Sequence, residues 1–318
     1  MILSGYNKFL FSIISEKNDY LILTVYVLKL GKRYISFLQI HYSKIDSSGK
    51  YLPSFVYRTR LSIIDSSDRD IVFSKGRIIF KEDSVKVEFS SDLVMLYLNY
   101  SWNQNVTGPL TVLGKEVTGK DVLTWNSFDF RSFVKGSMIT PNNSVDFTDV
   151  PGNIDLVKTS RLRFKIPVSR LIWSRLHHQD IDLSYSSVFD RSKKSDSKLF
   201  LSIDKKVIEF SDVNYSGCND KVSSRSSVKY PNNILLTAKN DNYQVSVSIY
   251  DHSEVNVNEM VNNIDLTGKL LTSLYTRIYG NPKELRLQAK ADIILSNNNT
   301  RTEIHNISSI GEYITFSC

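Results

Sequence analysis

Apolar and polar positions alternate along several segments of this chain and predict β-strands. Residues 85–89 read Val-Lys-Val-Glu-Phe, residues 161–168 read Arg-Leu-Arg-Phe-Lys-Ile-Pro-Val, and residues 245–249 read Val-Ser-Val-Ser-Ile. Successive side chains of a strand point to opposite faces, so each segment has one apolar and one polar face. We expect the apolar face to be buried and the polar face to contact water.

A continuous apolar run at residues 20–28, Tyr-Leu-Ile-Leu-Thr-Val-Tyr-Val-Leu, predicts a strand that is buried on both faces. Turn-forming sequences rich in Asn, Asp, Ser and Gly separate the strand-like segments, for example at 46–49, 65–68 and 297–299. Good helical windows are few: residues 261–279 have partial helical periodicity, a short helix there is not favoured, and the alternating strand and helix segments of parallel α/β enzymes are absent. The pattern therefore predicts an all-β protein, either an antiparallel barrel or a sandwich.

Composition adds little about partners. The 318 residues, 41% of them hydrophobic, suit one large folded domain or two of about 150 residues. A net charge of +7 permits an anionic partner without requiring one. The two cysteines, Cys218 and Cys318, have no histidine at metal-ligand spacing. The sequence does not decide whether these two cysteines form a disulfide bond with each other.

Targeting signals are not evident in the sequence. The N-terminal segment lacks a basic region ahead of its apolar residues, and it lacks a small-residue cleavage site. The longest apolar run contains Thr24 and Lys29 and is far shorter than the roughly 20 residues of a membrane-spanning helix. We therefore expect a cytoplasmic protein without a transmembrane segment.

Several degenerate motifs occur in a characteristic order. They are Tyr6–Phe11, Asp19–Thr24, Gly136–Pro141, Val145–Phe147, Gly152–Asp155, Leu171–Leu176, Asp182–Tyr185 and Gly311–Thr315. This order resembles the hydroxyneurosporene synthase (carotenoid 1,2-hydratase) family and the related lipocalin-like AttH proteins. The resemblance implies two tandem lipocalin-like antiparallel β-barrels, at residues 1–168 and 169–318, with an apolar site between or inside them.

The catalytic loop of that family, roughly G-Y-H-D-H-N-W, is only partly retained here. Gly152 and Asp155 match, but Leu156 and Lys158 stand at the catalytic histidine and tryptophan positions. Protonating an isolated C=C bond needs an acid, and a carbocation needs aromatic faces beside it. Leu156 cannot donate a proton and the charge of Lys158 would repel the cation. The resemblance thus implies the scaffold without the hydratase machinery.

The family motifs W-G-R and Y-x-D have partial counterparts farther along the chain. Trp173 and Arg175 match the first motif, with Ser174 between them, and Tyr185 matches the tyrosine of the second. Ser187 stands where the carboxylate belongs. We take Trp125, Trp173, Arg175 and Tyr185 as candidate ligand-binding residues, although aromatic side chains equally fill small barrels as core.

Three residues are candidates for acid/base chemistry: Asp155, His177 and Tyr185. His177 and His178 are adjacent, so on a strand they face opposite sides and cannot share a metal ion. We therefore expect neither a metal site nor a cofactor. His177 could pair with Asp155 at a barrel mouth, but a surface pair of histidines is the more common situation.

Six basic residues and no acidic ones lie between residues 156 and 179. Arg161, Arg163 and Lys165 would share one strand face, which could bind an anion or a nucleic acid. A solvated outer face explains the same pattern more simply, so a nucleic-acid partner is not expected. Arg175 could instead stack on Trp173 and close a barrel end.

Two functions follow from these observations. The first is a lipocalin-like protein that binds an apolar small molecule, an isoprenoid or other lipid, without hydratase activity. The alternative is an enzyme, a hydratase, cyclase or isomerase, that modifies an isoprenoid with a different acid residue.

Overall fold

The computed structural model describes residues 3, 5–14, 19–45, 51–102, 110–111, 124–128, 131–159, 168–178, 181–203, 206–210, 212–259, 283–297 and 300–316. Contacts divide the chain into two compact units. Unit 1 comprises Met1–Thr111 and Val122–Leu162, and unit 2 comprises Val112–Asp121 and Arg163–Cys318. Throughout the described ranges the regular elements are β-strands, which confirms the predicted all-β class.

Unit 1 contains a 13-stranded antiparallel sheet. Its strands are β1 (Tyr6–Ile14), β2 (Tyr20–Leu30), β3 (Arg33–Ile45), β4 (Tyr51–Leu61), β5 (Ile63–Ser66), β6 (Asp70–Phe73), β7 (Gly76–Phe80), β8 (Ser84–Ser90), β9 (Met95–Ser101), β10 (Leu110–Thr111), β11 (Thr124–Ser127), β12 (Ser132–Thr140) and β13 (Asn143–Thr159). The order is β4-β3-β2-β1-β13-β12-β9-β8-β7-β6-β5, with β11 between β10 and β13. The ends of this path approach each other, because β3 contacts β5.

Unit 2 contains a nine-stranded antiparallel sheet. Its strands are β14 (Val168–His178), β15 (Ile181–Asp190), β16 (Ser195–Ile203), β17 (Lys206–Phe210), β18 (Val213–Val222), β19 (Lys229–Lys239), β20 (Tyr243–Glu259), β21 (Lys283–Asn297) and β22 (Arg301–Thr315). The order is β17-β16-β15-β14-β22-β21-β20-β19-β18, so the first and last strands of the unit, β14 and β22, are neighbours. Contact of β16 with β18 brings the two ends of the sheet together. The two-barrel lipocalin-like fold is confirmed.

The hydrophobic pattern positions the strands of unit 1 as predicted. Leu21, Leu23 and Val25 of β2 lie in the core, and the alternate residues Ile22 and Tyr26 are buried on the other face. This is the strand for which the sequence predicted burial on both sides. It continues into β3 through a two-residue turn in which Gly31 has φ of 62°, a conformation that glycine adopts without steric cost.

Alternation is also confirmed on β8 and β20. Val85, Val87 and Phe89 lie in the core of unit 1. In unit 2 the core includes Val245, Val247 and Ile249. Cys218 is an exposed free thiol. The partner considered for it, Cys318, lies outside the described residues, as do the alternating segment at 161–167 and the helix-like window at 261–279.

Candidate functional site

Strand β14 has two buried faces of opposite chemistry. Ile172 and Leu176 point into the core of unit 2. The alternate residues Trp173 and Arg175 lie on the opposite face, and they are buried as well. From the alternation in the sequence alone, this second face would be expected to contact solvent. We call it the charged face of unit 2 and define it by seven of its residues: Trp173, Arg175, His177, Asp182, Glu284, Arg286 and Glu312.

Strand register aligns part of the charged face into a row across the sheet. Trp173 on β14 lies directly opposite Glu312 on β22, and Glu312 lies directly opposite Arg286 on β21. On the other side of β14, Trp173 lies opposite Ser186 of β15. Neighbouring strands are about 4.8 Å apart, so residues aligned in this way can make direct side-chain contacts.

A buried ion network links three of these strands. The Nε of Arg286 donates a hydrogen bond to Oε1 of Glu312 at 3.0 Å, and its Nη2 donates to Oε1 of Glu284 at 3.0 Å. The indole Nε1 of Trp173 donates to Oε2 of Glu312 at 3.1 Å. The side chains of Glu284 and Arg286 are fully buried.

Such a network is expensive if stability is its only purpose. Removing a carboxylate or a guanidinium from water costs several kcal/mol per ion, and well-packed apolar residues would often serve the fold equally well. Buried charged groups occur both at functional sites and in structural ion-pair networks. The network also fixes the indole of Trp173, because both oxygens of Glu312 are engaged, one by Arg286 and one by the indole.

A histidine–aspartate pair lies at the β15 side of the charged face. His177 and Asp182 are directly opposite each other on β14 and β15. The Nδ1 of His177 is 2.6 Å from Oδ1 of Asp182, and the two side chains are only 8% and 10% exposed. The sequence had suggested Asp155 as the partner of His177; within unit 2 the structure provides Asp182. Among the described residues no group of three metal-ligand side chains is found.

Arg175 lies between these two features. Its guanidinium carbon is 5.9 Å from the centre of the Trp173 ring. The proximity to Trp173 fits the sequence, but Arg175 points away from the barrel interior and does not close it. Arg170, and not Arg175, contacts aromatic residues of the barrel interior. Its guanidinium carbon lies 3.8 Å from the ring centre of Phe189, and its Nη1 donates to the hydroxyl of Tyr313 at 3.4 Å.

Tyr185 lies on the core face of the same sheet, within the hydrophobic core of unit 2. Burial raises the pKa of its phenol well above the usual value, so it stays protonated. A small, partly open cavity of about 10 Å³ lies against this core, with Ile172, Tyr185, Ile234, His252, Leu287 and Ala289 among its lining residues. This is room for about one water, whereas drug-sized ligands occupy roughly 300 Å³ or more.

Asp155 and Trp125 lie in unit 1, on the face of its sheet opposite the core. Asp155 of β13 is directly opposite Leu10 of β1 and Ser127 of β11, and Trp125 is opposite Val157. Asp155 and Trp125 are both buried. Structure therefore groups the candidates by unit: Asp155 with Trp125 in unit 1, and Trp173, Arg175 and His177 in unit 2, with Tyr185 on the other side of the unit 2 sheet.

Of the positions corresponding to the hydratase loop, Leu156 faces the core of unit 1, whereas Asp155 faces away from it. Leu156 is part of that core, in a neighbourhood of aliphatic and aromatic side chains. Gly152 allows a close approach, because a Cβ there would lie 2.4 Å from Cγ2 of Val134 and 2.8 Å from the carbonyl oxygen of Ser12. Lys158 is half-buried, and the three central residues of the predicted basic strip, Arg161, Arg163 and Lys165, lie outside the described residues.

Sequence reasoning missed Glu284, Arg286 and Glu312. The segment Glu-Leu-Arg-Leu at 284–287 has the same alternation as a strand with a wet face, so nothing local distinguishes it from one. Glu312 stands inside the motif Gly-Glu-Tyr-Ile-Thr that carried the resemblance, and this was the only available signal.

Comparison with known proteins identifies solved structures that have a similar fold. No family model matches the sequence, and no curated protein matches it. Three solved structures are similar. A protein described as AttH from Nitrosomonas europaea has 9% identity and a TM-score of 0.64, covering 98% of this chain and 91% of its own. Kievitone hydratase from Nectria haematococca has 12% identity and a TM-score of 0.56, covering 99% and 89%. CghA has 9% identity and a TM-score of 0.64, covering 98% and 88%.

This chain has their fold. Carotenoid hydratase-like and AttH-like proteins are thus its structural neighbours, as the sequence resemblance implied. At identities this low the similarity establishes the arrangement of strands and not the chemistry. The described part of the chain contains no helix that could cross a membrane.

Proposed function

We propose that this protein binds a largely apolar small molecule, an isoprenoid or another lipid, at the charged face of unit 2. The observation that carries the proposal is the buried indole of Trp173, held by Glu312 and flanked by apolar side chains on the same face. Leu171 of β14 and Ile310 and Ile314 of β22 are buried there. A small-molecule site typically combines an apolar surface with a few fixed polar groups, which this face also has in Arg175 and His177.

The barrel interior of unit 2 is the less suitable location. Its cavity has room for about one water, and its walls are packed core residues such as Tyr185 and Leu287. An isoprenoid would need to displace this core, which costs several kcal/mol in lost packing. We therefore assign ligand contact to Trp173 and Arg175, and a structural role to Tyr185.

Binding without hydratase activity agrees with the loop residues. Leu156 carries no proton to donate, and the sequence has no histidine between His41 and His177. Two structural neighbours support a small-molecule function in general terms, since one is named kievitone hydratase and CghA has also been solved with Sch210972. Trp125 and Asp155 form a second candidate face in unit 1, to be tested separately by Trp125→Phe and Asp155→Asn.

The proposal is tested with geranylacetone, an isoprenoid ketone, in a calorimetric titration of the purified protein. We expect saturable binding that Trp173→Ala weakens by about tenfold or more and that Tyr185→Phe leaves unchanged. Organic extraction of the protein followed by mass spectrometry should also release a prenyl or fatty compound near one equivalent. Binding that fails in the wild type, or that depends on Tyr185 and not on Trp173, contradicts the proposal.

Hydration is tested with the same compound, which contains isolated C=C bonds. After incubation in ¹⁸O-labelled water, we expect no labelled alcohol above the level in a protein-free sample. A labelled tertiary alcohol formed by the protein would show that another residue replaces the missing histidine and would overturn the non-hydratase part of the proposal.

An enzymatic alternative is favoured by one specific observation, the His177–Asp182 pair.

A further inference from the structure

We infer that the mouth of the unit 2 barrel binds a carboxylate group, which Arg170 and the hydroxyl of Tyr313 hold. The mouth is the end of the barrel at which β14 and β21 begin and β15 and β22 end. This site lies on the core face of the sheet, so it is separate from the charged face and does not rest on the function proposed above. Its ligands are organic acids, either small free acids or amphiphiles with an acidic head group.

The strand pattern directs Arg170 to the interior side of the mouth. Arg170 lies on the same face of β14 as the core residue Ile172, and it is directly opposite Phe189 of β15. A β-bulge at Ser169 interrupts the pairing just before it. The hydroxyl of Ser169 donates to the carbonyl oxygens of Phe189 and Asp190 at 3.1 and 2.7 Å. These bonds fix the backbone beside Arg170, as bulges do where they aim a side chain.

The guanidinium of Arg170 has donors to spare. Its Nη1 donates to the hydroxyl of Tyr313 at 3.4 Å. Its Nε is buried and has no hydrogen-bond partner within the part of the chain that the structure describes. The N–H groups of Nε and Nη2 point to the same side and form a fork that matches the two oxygens of a carboxylate. An unpaired buried donor costs about 1–3 kcal/mol, so a carboxylate bound at this fork would be favoured.

A second cation faces the mouth. Lys283 of β21 lies in the same row as Arg170, because both are directly opposite Thr315, and two strand spacings separate them by about 10 Å. The Nζ of Lys283 donates to the carbonyl oxygen of Ser226 at 2.7 Å. Across the described ranges neither cation forms a salt bridge. Two inward-facing cations that no carboxylate neutralises give the mouth a positive potential, which attracts anions.

Aromatic rings form the wall around the guanidinium. Its carbon lies 3.8 Å from the ring centre of Phe189 and 5.9 Å from that of Tyr313. Tyr215 packs edge-on against Phe189, with 5.3 Å between the ring centres. Burial raises the pKa of the phenols of Tyr215 and Tyr313, so both hydroxyls keep their protons and can donate to an anion. Apolar walls with a few polar donors suit a carboxylate that is attached to an apolar body.

The acid reaches the site from the end of the barrel. Arg170, Tyr215 and Lys283 are only partly buried, so a carboxylate can approach the guanidinium without entering the core. The cavity of about 10 Å³ that Tyr313 helps to line has no room for the rest of the ligand. The apolar body of the acid therefore lies outside the core, along the rim of the mouth.

Calorimetric titration of the full chain with sodium benzoate tests the inference, with the neutral isostere benzamide as control. We expect saturable benzoate binding and benzamide binding that is weaker by about tenfold or more, because charge-assisted hydrogen bonds need the carboxylate. Decanoate, used below its micelle concentration, identifies the source of the acid. Binding about tenfold tighter than benzoate supports an amphiphile, and weaker or equal binding supports a small acid. Equal affinity for benzoate and benzamide, or no binding of either acid, overturns the inference.

Variants of the charged residues locate the site. Arg170→Met should weaken benzoate binding by about 20-fold, and Arg170→Lys should recover only part of it, because lysine keeps the charge and loses the fork. Arg191→Met is the matched control, since Arg191 is exposed on the β15–β16 turn, and it should change affinity less than about twofold. Asp220→Asn should raise affinity about twofold, because this exposed carboxylate acts on the phenols of Tyr215 and Tyr313. Equal losses in Arg170→Met and Arg191→Met contradict a specific site.

A spectroscopic readout keeps the test valid if Arg170→Met fails to fold. In ¹⁵N-labelled protein the Nε–H resonance of Arg170, assigned with Arg170→Lys, should shift saturably with benzoate and stay in place with benzamide. Tyr313→Phe should weaken benzoate binding about threefold. Tyr250→Phe is its control, because that hydroxyl donates to Asp292 on the outer face, and Trp173→Phe should also leave benzoate affinity unchanged. An Arg170 resonance that does not move at saturating benzoate overturns the inference and leaves the proposed function untouched.

Discussion

The two faces of the β14–β22–β21 sheet in unit 2 are both buried, but they differ in chemistry. On the core face, Ile172 and Leu287 belong to a close-packed cluster with room for about one water. On the charged face, Arg286 bridges two carboxylates, one of which holds the indole of Trp173. The same strands thus supply an apolar interior and a buried polar site through the alternation of their side chains.

The comparison shows that burial alone does not identify a role. The core face follows from hydrophobic burial, which stabilises a fold without needing direction. The charged face needs directed hydrogen bonds to offset desolvation, so any single loss there is costly. We therefore expect variants of the core face to change stability mainly through packing, and variants of the charged face to change both stability and ligand binding.

The largest effect should come from breaking the ion network. Arg286→Met removes the guanidinium that bridges Glu284 and Glu312 and should lower the free energy of unfolding by about 3–5 kcal/mol. Urea denaturation of the full chain measures this. The triple variant Glu284→Gln, Arg286→Met, Glu312→Gln removes the charge imbalance and should recover much of the loss. A loss below about 1 kcal/mol for Arg286→Met would show that the network is not effectively buried.

A smaller effect is expected on the core face at Gly311. A Cβ at this position would lie 2.4 Å from the carbonyl oxygen of Trp173 and 3.0 Å from Cβ of Ser174. Gly311→Ala should therefore force β14 and β22 apart and lower unfolding free energy by about 1–3 kcal/mol. Gly31→Asn is the control, because Gly31 has open space around it and asparagine tolerates its positive φ. Equal stability of both variants would contradict the close approach.

A substitution on the charged face should weaken ligand affinity about tenfold more than a substitution on the core face. Trp173→Phe removes the indole N–H that donates a hydrogen bond to Glu312, and it reduces the area of the aromatic ring. We expect it to weaken geranylacetone binding about tenfold, which corresponds to about 1.4 kcal/mol. Tyr185→Phe, on the core face, should bind with unchanged affinity. The reverse order of effects in calorimetry would move the ligand into the barrel interior.

The smallest effect concerns His252, which lines the core cavity. Burial lowers the pKa of its imidazole below the usual 6.5, and it stays neutral with Nδ1 donating to the carbonyl oxygen of Asn232. The unfolded chain binds a proton more readily, so stability is full above pH 6.5 and falls as the pH drops towards the folded-state pKa. Between pH 7 and pH 6 this histidine should cost at most about 0.7 kcal/mol.

Urea titrations at both pH values measure this slope. His252→Gln should reduce the pH dependence, while His305→Gln is the matched control, since His305 is more than half exposed. A slope that His305→Gln removes and His252→Gln leaves intact would contradict the assignment.

Much of the fold could be predicted from the sequence because alternation is a local property. The strands around Val85 and Val245 and the doubly buried β2 followed directly from it, and the order of motifs suggested two lipocalin-like barrels. The candidate site was less accessible. Trp173 and Arg175 were found by motif, but the partner of Trp173 is Glu312, which follows it by 139 positions in the chain. Pairing over such a separation depends on topology and leaves no local pattern.

Alternation also misled in one respect. It predicts a wet polar face, and a strand such as β21 with Glu284 and Arg286 gives no local indication that its polar face is buried. Likewise, the partner of His177 depended on the β14–β15 register, which places Asp182 directly opposite it. The register of a hairpin follows from its turn, and residues 179–180 carry no strong turn signal.

The central claim is that a small molecule contacts the charged face of unit 2. It is tested most directly by ¹⁹F NMR of the protein labelled with 5-fluorotryptophan, in which the resonances of Trp102, Trp125 and Trp173 are assigned by single Trp→Phe variants. On titration with geranylacetone, we expect the Trp173 resonance to shift in a saturable manner. The resonance of Trp102, which packs against the core of unit 1, should stay in place. A Trp173 resonance that does not move at ligand saturation would contradict the claim.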